Sequence, residues 1–296
     1  MMQPIPGGAA GKPFKTHHNA LGLDLFLRIA PELYLKKLLV GGFERVYELN
    51  RNFRNEGLST RHNPEFTMLE VYEAFGDCAT MMTLTEELIT GLFQELKGTL
   101  KFEFAGKPVD LTRPWPRFSF AEQMEKKYGI QPGDSAEEWV KKLSEKGVRL
   151  EVPAGKKLSR SWLLNFIAEL FEPEAQDRPT FVMDYFTEFS PLAKSQAARP
   201  ELADRFELFI GGMEVANAYT EQNDPIEQRR RLEQYADVAK EYSQVIDEDF
   251  LEALECGMPP AGGLGIGIDR LTMLLTDQPS IRDVILFPTL RLEEKT

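Results

Sequence analysis

Apolar positions along the chain fall into two rhythms. Leu84, Leu88, Ile89, Leu92, Phe93 and Leu96 recur at helical spacing, and Gly98 ends the run. Leu35, Leu38 and Leu39 mark an earlier helix, opened by Pro31 in its first turn and closed by Gly41-Gly42. Elsewhere the pattern alternates. Residues 24–29 read as a strand, and residues 100–111 as a hairpin about Ala105-Gly106-Lys107. Residues 181–186 return to strand, and 205–221 give two strands about Gly211-Gly212. Residues 262–267 alternate glycine with apolar residues and lead into a helix over 270–275, and 284–287 read as a last strand. Residues 1–19 are loop-like, with Pro4, Pro6, Gly7, Gly8 and Gly11 close together.

Helices fill the rest. From residue 119 to 172 they are short and charged, with Ser119/Glu122 and Ser135/Glu138 spaced as capping boxes. That stretch, about 115–175, reads as a helical insertion that carries no chemistry. Asp224-Pro225-Ile226-Glu227 starts a further helix, whose Arg229 to Arg231 read as a solvated face, and a shorter one covers 249–255. Strands joined by hairpins, with helices around them, predict an α+β fold on a mainly antiparallel sheet, one domain over 1–296.

The stretch 43–72 organises the chain. Both ends alternate like strands, and residues 57–64 are rich in turn formers. Side chains alternate faces along a strand. Arg54 and Glu56 therefore share one face of the first arm, and Phe66, Glu70 and Tyr72 one face of the second. Folded together, they put a guanidinium, carboxylates, a phenol and a phenyl ring on one surface, with Arg61 and His62 beside it. Tyr47, Leu49 and Phe53 take the other face, a core side. Glu207 and Glu214 bracket the Gly211-Gly212 turn, so a hairpin brings them near each other. Asn217 and Glu221 share a parity that Glu214 does not, so one strand presents all three only through a bulge or twist.

Charge and composition narrow the chemistry. A net charge of −12 argues against broad nucleic-acid binding, which needs many cations facing phosphates. Two cysteines suit a reducing cytoplasm rather than a disulfide scaffold. Two cysteines and three histidines show no zinc spacing, which leaves carboxylates for magnesium. No apolar run approaches the roughly 20 residues that span a membrane. Gly265 and Gly267 are followed by Arg270 where a dinucleotide fingerprint needs glycine, which excludes a Rossmann sheet.

Phe53-Arg54-Asn55-Glu56, a loop, and Arg61-His62-Asn63-Pro64-Glu65-Phe66-Thr67 resemble the second signature motif of class II aminoacyl-tRNA synthetases, in its lysyl version. Gly263 to Arg270 resembles the third. The resemblance runs over about 1–291. It implies ATP-dependent activation of L-lysine to an adenylate, then transfer to tRNA(Lys), with magnesium. It puts Arg54 between substrate carboxylate and α-phosphate, with Arg270 as a second catalytic cation. Glu56 meets the adenine amino group, and His62 the terminal phosphates. Phe66 and Arg270 sandwich the adenine, while Gly265 and Gly267 let the nucleotide approach. Glu207 and Glu214 are the magnesium carboxylates. Glu70, Tyr72 and Glu221 take the substrate's ε-ammonium, Asn217 lies near its carboxylate, and Glu32 with the Gly8 backbone contacts its α-amine.

The family's lysyl enzymes begin with an anticodon-reading OB-fold and a first motif that builds much of the homodimer interface. The chain resembles the portion of those enzymes downstream of both, and so reads as a catalytic domain shortened at its N-terminus. Two other readings are a ligase that lysylates a protein, as the elongation-factor-P enzymes do, and a fragment that binds lysine or ATP without turnover.

Overall fold

The structure is a computed structural model, and it describes residues 1–9, 11–151, 158–171, 177–238 and 246–290. Strands β1 (Met2–Gln3) and β2 (Lys15–His18) both pair antiparallel with β3 (Leu23–Leu27). The loop expected over residues 1–19 is thus corrected. β2 is exposed throughout and has no apolar alternation to reveal it; backbone pairing, with Lys15 opposite Phe26, makes it a strand. Helix α1 (Glu32–Val40) follows Pro31 and stops at Gly41, where Gly42 takes φ +92°. Leu35 and Leu39 are buried, whereas Leu38 faces outward.

The central hairpin is β4 (Arg45–Phe53) and β5 (Glu65–Ala74), with Asn52 opposite Phe66 and Glu48 opposite Glu70. Helix α2 (Cys78–Lys97) ends on a left-handed Gly98. The hairpin β6 (Lys101–Phe104) and β7 (Lys107–Asp110) turns at Ala105-Gly106, both with positive φ. Strand β8 (Arg117–Ser119) leads into α3 (Phe120–Tyr128), α4 (Ala136–Glu145) and α5 (Arg160–Glu169). Ser135 and Glu138 close a full capping box. Strand β9 (Thr180–Met183) stops earlier than expected, because Asp184 takes φ +58°. The chain continues as β10 (Arg205–Ile210), β11 (Met213–Thr220), α6 (Pro225–Val238), α7 (Glu248–Glu255), β12 (Ala261–Gly267) and α8 (Ile268–Thr276).

Seven strands form the main sheet in the order β4-β5-β12-β11-β10-β9-β8, antiparallel except β8 with β9. The α+β expectation holds. The placing of β12 between β5 and β11 matters most. Gly265 faces Glu70 on one side and Asn217 on the other, so three stretches far apart in sequence meet on one surface. The opposite face is covered by α2. Met81, Ile89 and Phe93 pack there in one core with Phe206, Leu208 and Ile266. Each such side chain, fully buried, contributes about 1.5–3 kcal/mol. Helices α3–α5 build a separate core around Phe120, Trp139 and Ile167.

Three expectations fail for identifiable reasons. Tyr47 and Leu49 do not face a core: they are 74% and 60% exposed. β4 is the edge strand, and nothing among the described residues covers that face. Residues 284–287 are not a strand. They follow a short 3-10 turn (Ile281–Asp283) and pair with no described strand, leaving Leu286 and Phe287 exposed. Arg231 is not solvated: it is buried, and donates to Glu227, the Ala193 carbonyl and Ser195. Successive helical residues point about 100° apart, so three adjacent arginines cannot share one face.

Candidate active site

Two cavities open on the exposed side of the sheet and meet at Arg54, Met68, Asn217 and Gly265. The first, about 380 Å³, takes Gly8, Glu32, Glu70, Tyr72 and Glu207 in its wall. The second, about 250 Å³, takes Glu56, His62, Phe66, Gly267 and Arg270, with Glu214. Glu221 lines neither cavity.

The hairpin places these groups by parity. Phe66, Glu70 and Tyr72 occupy the same face of β5, and the Arg54 guanidinium lies 5.1 Å from the Phe66 ring centre. Arg54 is one residue beyond β4, not within it; its N–H still bonds the Pro64 carbonyl at 2.8 Å, so the pairing carries on to it. Its backbone position is therefore fixed although the loop has begun. Burial pulls its pKa below the usual guanidinium range. The Nε of Arg54 and the Oδ1 of Asn217 are buried without a protein partner, both where the cavities join. Buried polar groups are nearly always paired, so such a pair marks a place built for a ligand.

The bulge that parity demanded is present. Between Leu208 and Phe209 the register advances one residue on β10 and two on β11, from Ala216 to Glu214. Val215 is the extra residue, and it turns inward beside Ala216. Glu214 and Asn217 consequently face the same surface. Beyond them Tyr219 donates to Glu32 at 2.6 Å, and Glu221 is buried completely.

The first cavity is acidic. Glu70 accepts from the Tyr72 hydroxyl at 2.9 Å. Burial, then the nearby Glu32, raises the Glu70 carboxyl to about 8. Burial does the same to Glu221, also to about 8. Two carboxyls at that value need cations to stay ionised. One is Lys36, which the apolar pattern of its helix does not single out. It is fully buried, 2.6 Å from Glu32 and 2.5 Å from Glu221. Its spacing of four from Glu32 was the only local signal. Gly263 was also missed. A Cβ there would stand 1.9 Å from Glu221 Oε1 and 2.6 Å from the Tyr72 ring, so only glycine lets both side chains lie against β12. At Gly265 a Cβ would meet Met68 Cε at 3.0 Å, while at Gly267 it would make ordinary contacts.

The second cavity sets three arginines, Arg54, Arg61 and Arg270, against Glu56, Glu214 and Asp269. Arg270 donates to the Glu214 carbonyl at 2.8 Å and reaches the Glu214 carboxylate at 3.2 Å. It also contacts His62 Nε2 at 3.2 Å. Arginine only donates, so Nε2 accepts, and Nδ1–H points to Ser59 Oγ at 2.8 Å. Burial, then Arg270, lowers the His62 pKa and keeps the ring neutral. In this arrangement His62 has no N–H free for a phosphate. Asp269 accepts from the Thr67 N–H at 2.6 Å and pins the start of α8 to β5.

Glu207 and Glu214 differ in setting. Glu207 is bound by Arg205 and by the Tyr185 hydroxyl, and burial raises its pKa. Glu214 is more open and answers Arg270. No cluster of three or more His, Cys, Asp or Glu suited to a metal occurs among the described residues. Two nearby carboxylates nonetheless fit magnesium, which takes one or two plus phosphate oxygens.

Residues 1–291 match the family described as tRNA synthetases class II (D, K and N). Relatives include a lysine–tRNA ligase of Pelotomaculum thermopropionicum, 56% identical over 302 residues, covering 99% of this chain and 59% of the relative. A lysine–tRNA ligase of Carboxydothermus hydrogenoformans is 55% identical and covers 98% of this chain and 60% of its own length. That of Syntrophomonas wolfei is 54% identical, with 98% and 59% covered. The chain thus spans about three fifths of the length of these relatives.

Proposed function

We propose that this chain, which belongs to the class II tRNA synthetases of the D, K and N group, activates L-lysine with ATP and passes the lysyl group to tRNA(Lys). The observation that carries the proposal is the junction of the two cavities. Arg54 Nε and Asn217 Oδ1 lie there unpaired, between an acidic pocket and one that three arginines line. An amino acid with two ammonium groups suits the first cavity, and a nucleotide suits the second.

In the first step a lysine carboxylate oxygen attacks the α-phosphorus of ATP, the bond to the bridging oxygen breaks, and pyrophosphate leaves. Two anions must meet. Arg54 forks between the substrate carboxylate and the α-phosphate and answers the charge that grows on the phosphoryl oxygens. Arg270 lies over the adenine opposite Phe66, and Glu56 accepts from its amino group. His62 reaches the terminal phosphates once Arg270 releases Nε2 and that nitrogen takes up a proton to donate. Gly265 and Gly267 leave the nucleotide room. Glu70 and Tyr72 take the ε-ammonium, with Glu221 behind them, and Glu32 with the Gly8 backbone takes the α-amine. Asn217 orients the carboxylate. Glu207 and Glu214 would hold a magnesium ion, which neutralises phosphate charge when bound.

Helices α3–α5 give no side chain to either cavity, and we read residues 115–175 as an insertion on the catalytic body. No described helix is long and apolar enough to cross a membrane, and Cys78 and Cys256 are free, which suits a reaction in the cytoplasm. The deciding measurement is lysine-dependent exchange of labelled pyrophosphate into ATP. Exchange with lysine, and not with leucine or glutamine, is expected; its absence at saturating lysine and magnesium sinks the proposal.

The uncovered face of β4 is proposed as part of a homodimer interface. Tyr47 and Leu49 on the edge strand, and Phe43 just before it, are all more than half exposed, an arrangement monomers avoid. Sedimentation at micromolar concentration should show a dimer, and Tyr47→Asp with Leu49→Asp should shift it to monomer. A wild type that stays monomeric at all concentrations removes this element.

A further inference from the structure

Lys36 is a buried cation beside the pocket to which the activation reaction gives no task. Its ammonium is wholly enclosed, yet one side touches Glu32 and the other Glu221. The Tyr219 ring centre lies 5.5 Å away, and the Tyr219 hydroxyl bonds the same Glu32 oxygen. From β5, Glu70 and Tyr72 face the same space, and Arg54 approaches from the loop after β4. A buried ammonium is expensive unless ionised partners surround it. Burial works against the charged Lys36, but Glu221 and Glu32 outweigh it and hold its pKa above the usual lysine range.

We propose that Lys36 is a positioning residue for amino-acid recognition: it ties Glu32 to Glu221 and supplies one of the three ammonium groups that Glu32 and Glu70 in the pocket and Glu221 behind it require. The proposal rests on the lysine-activation reading. Glu32, Glu70 and Glu221 are the carboxylates; Glu207 and Asp247 line the cavity too, but Arg205 answers the first and the Phe250 N–H caps onto the second. Arg54 is engaged by the substrate's own carboxylate, so Lys36 leaves room for two further cations, the number that lysine brings. An amino acid with one ammonium leaves a buried carboxylate unpaired and is rejected. Lys36 also fixes the two carboxylates in place: Glu221 Oε2 meets Lys36, while Oε1 has no partner and lies against Gly263.

Removing the Lys36 charge should make the pocket take up a proton at higher pH, and that proton competes with a substrate ammonium. Lys36→Met is expected to raise the lysine KM about tenfold or more at pH 7. It should leave the ATP KM within about twofold and move the acid limb of kcat/KM for lysine about one pH unit upward. Lys36→Met combined with Glu221→Gln removes one charge of each sign, and should lose clearly less than the product of the two single losses. A role in folding alone would move the thermal midpoint and the active fraction, with an unshifted limb and independent, multiplying losses. Either of those two results overturns the proposal. If Lys36→Met does not fold, Lys36→Arg decides: it keeps the charge, so its acid limb should stay at the wild-type pH, and a moved limb overturns the assignment. Lysine binding measured by calorimetry on the same set separates this idea from the activity. Wild type that binds lysine without exchange ends the activity reading alone. Wild type that binds lysine no more tightly than Lys36→Met at every pH ends this one alone.

Discussion

Arg54→Ala is expected to lower lysine-dependent pyrophosphate exchange by about 10³-fold or more, while the fold stays intact. The size follows from the role. Single preorganised donors aimed at developing charge are worth about 10²–10³ in rate, and arginines on transferring phosphoryl groups up to about 10⁵. Arg54 stands where both cavities join, and in the proposed reaction it meets both reactants. Its removal should strike kcat hardest and raise both KM values less. Arg54→Lys should recover little, because an ammonium keeps the charge but loses the fork. Stability should change by only a few degrees. Arg54 Nε has no protein partner to orphan, and the stacking on Phe66 is worth about 0.5–1 kcal/mol at a partly open site. Exchange and thermal melts on one preparation check both halves. A mutant within tenfold of wild type would remove Arg54 from the chemistry.

The half of the site that was legible in sequence follows from one rule. Side chains alternate along a strand, so Phe66, Glu70 and Tyr72 had to share a face once residues 65–74 were strand. The same rule required a bulge or twist, found as the bulge at Val215, because Glu214 and Asn217 differ in parity and both line the second cavity. Helix ends were legible where glycine or an N-cap fixed them, as at Gly98 and Ser135. What period alone does not encode is which face of a strand gets covered. Tyr47 and Leu49 alternate like core residues and lie on an edge strand without a cover. Burial of a charge is equally invisible. Lys36 meets Glu221 only because the end of β11 lies beside α1 in space, although the two are far apart along the chain. β2 shows the limit from the other side: its partners decide its state, and its own residues do not.

Glu70→Gln should separate recognition from folding more sharply than any other change in the pocket. Glutamine keeps the shape and still accepts from Tyr72, but it removes the charge that answers the ε-ammonium. Leaving a buried ammonium with one partner fewer costs about 3–5 kcal/mol, so the lysine KM should rise about 10²–10³-fold with the ATP KM little changed. The wild-type pH profile should disappear with it. The Glu70 carboxyl lies at about 8, raised first by burial and then by Glu32. Below that pH, lysine must displace a proton, so wild-type kcat/KM for lysine should climb between pH 6 and 8 and level off above. The mutant should be flatter. Stability in the absence of ligand should move the opposite way. A carboxyl whose pKa is raised on folding adds most to stability below its unfolded value, and loses that contribution as pH rises through the folded one. Ligand-free wild type should therefore weaken between about pH 5 and 9 relative to Glu70→Gln. At pH 9 the mutant should melt higher, and lysine should rescue wild type but not the mutant. A mutant that binds lysine normally, or a wild type whose lysine affinity ignores pH from 6 to 8, would show that Glu70 is not the group that reads the side chain.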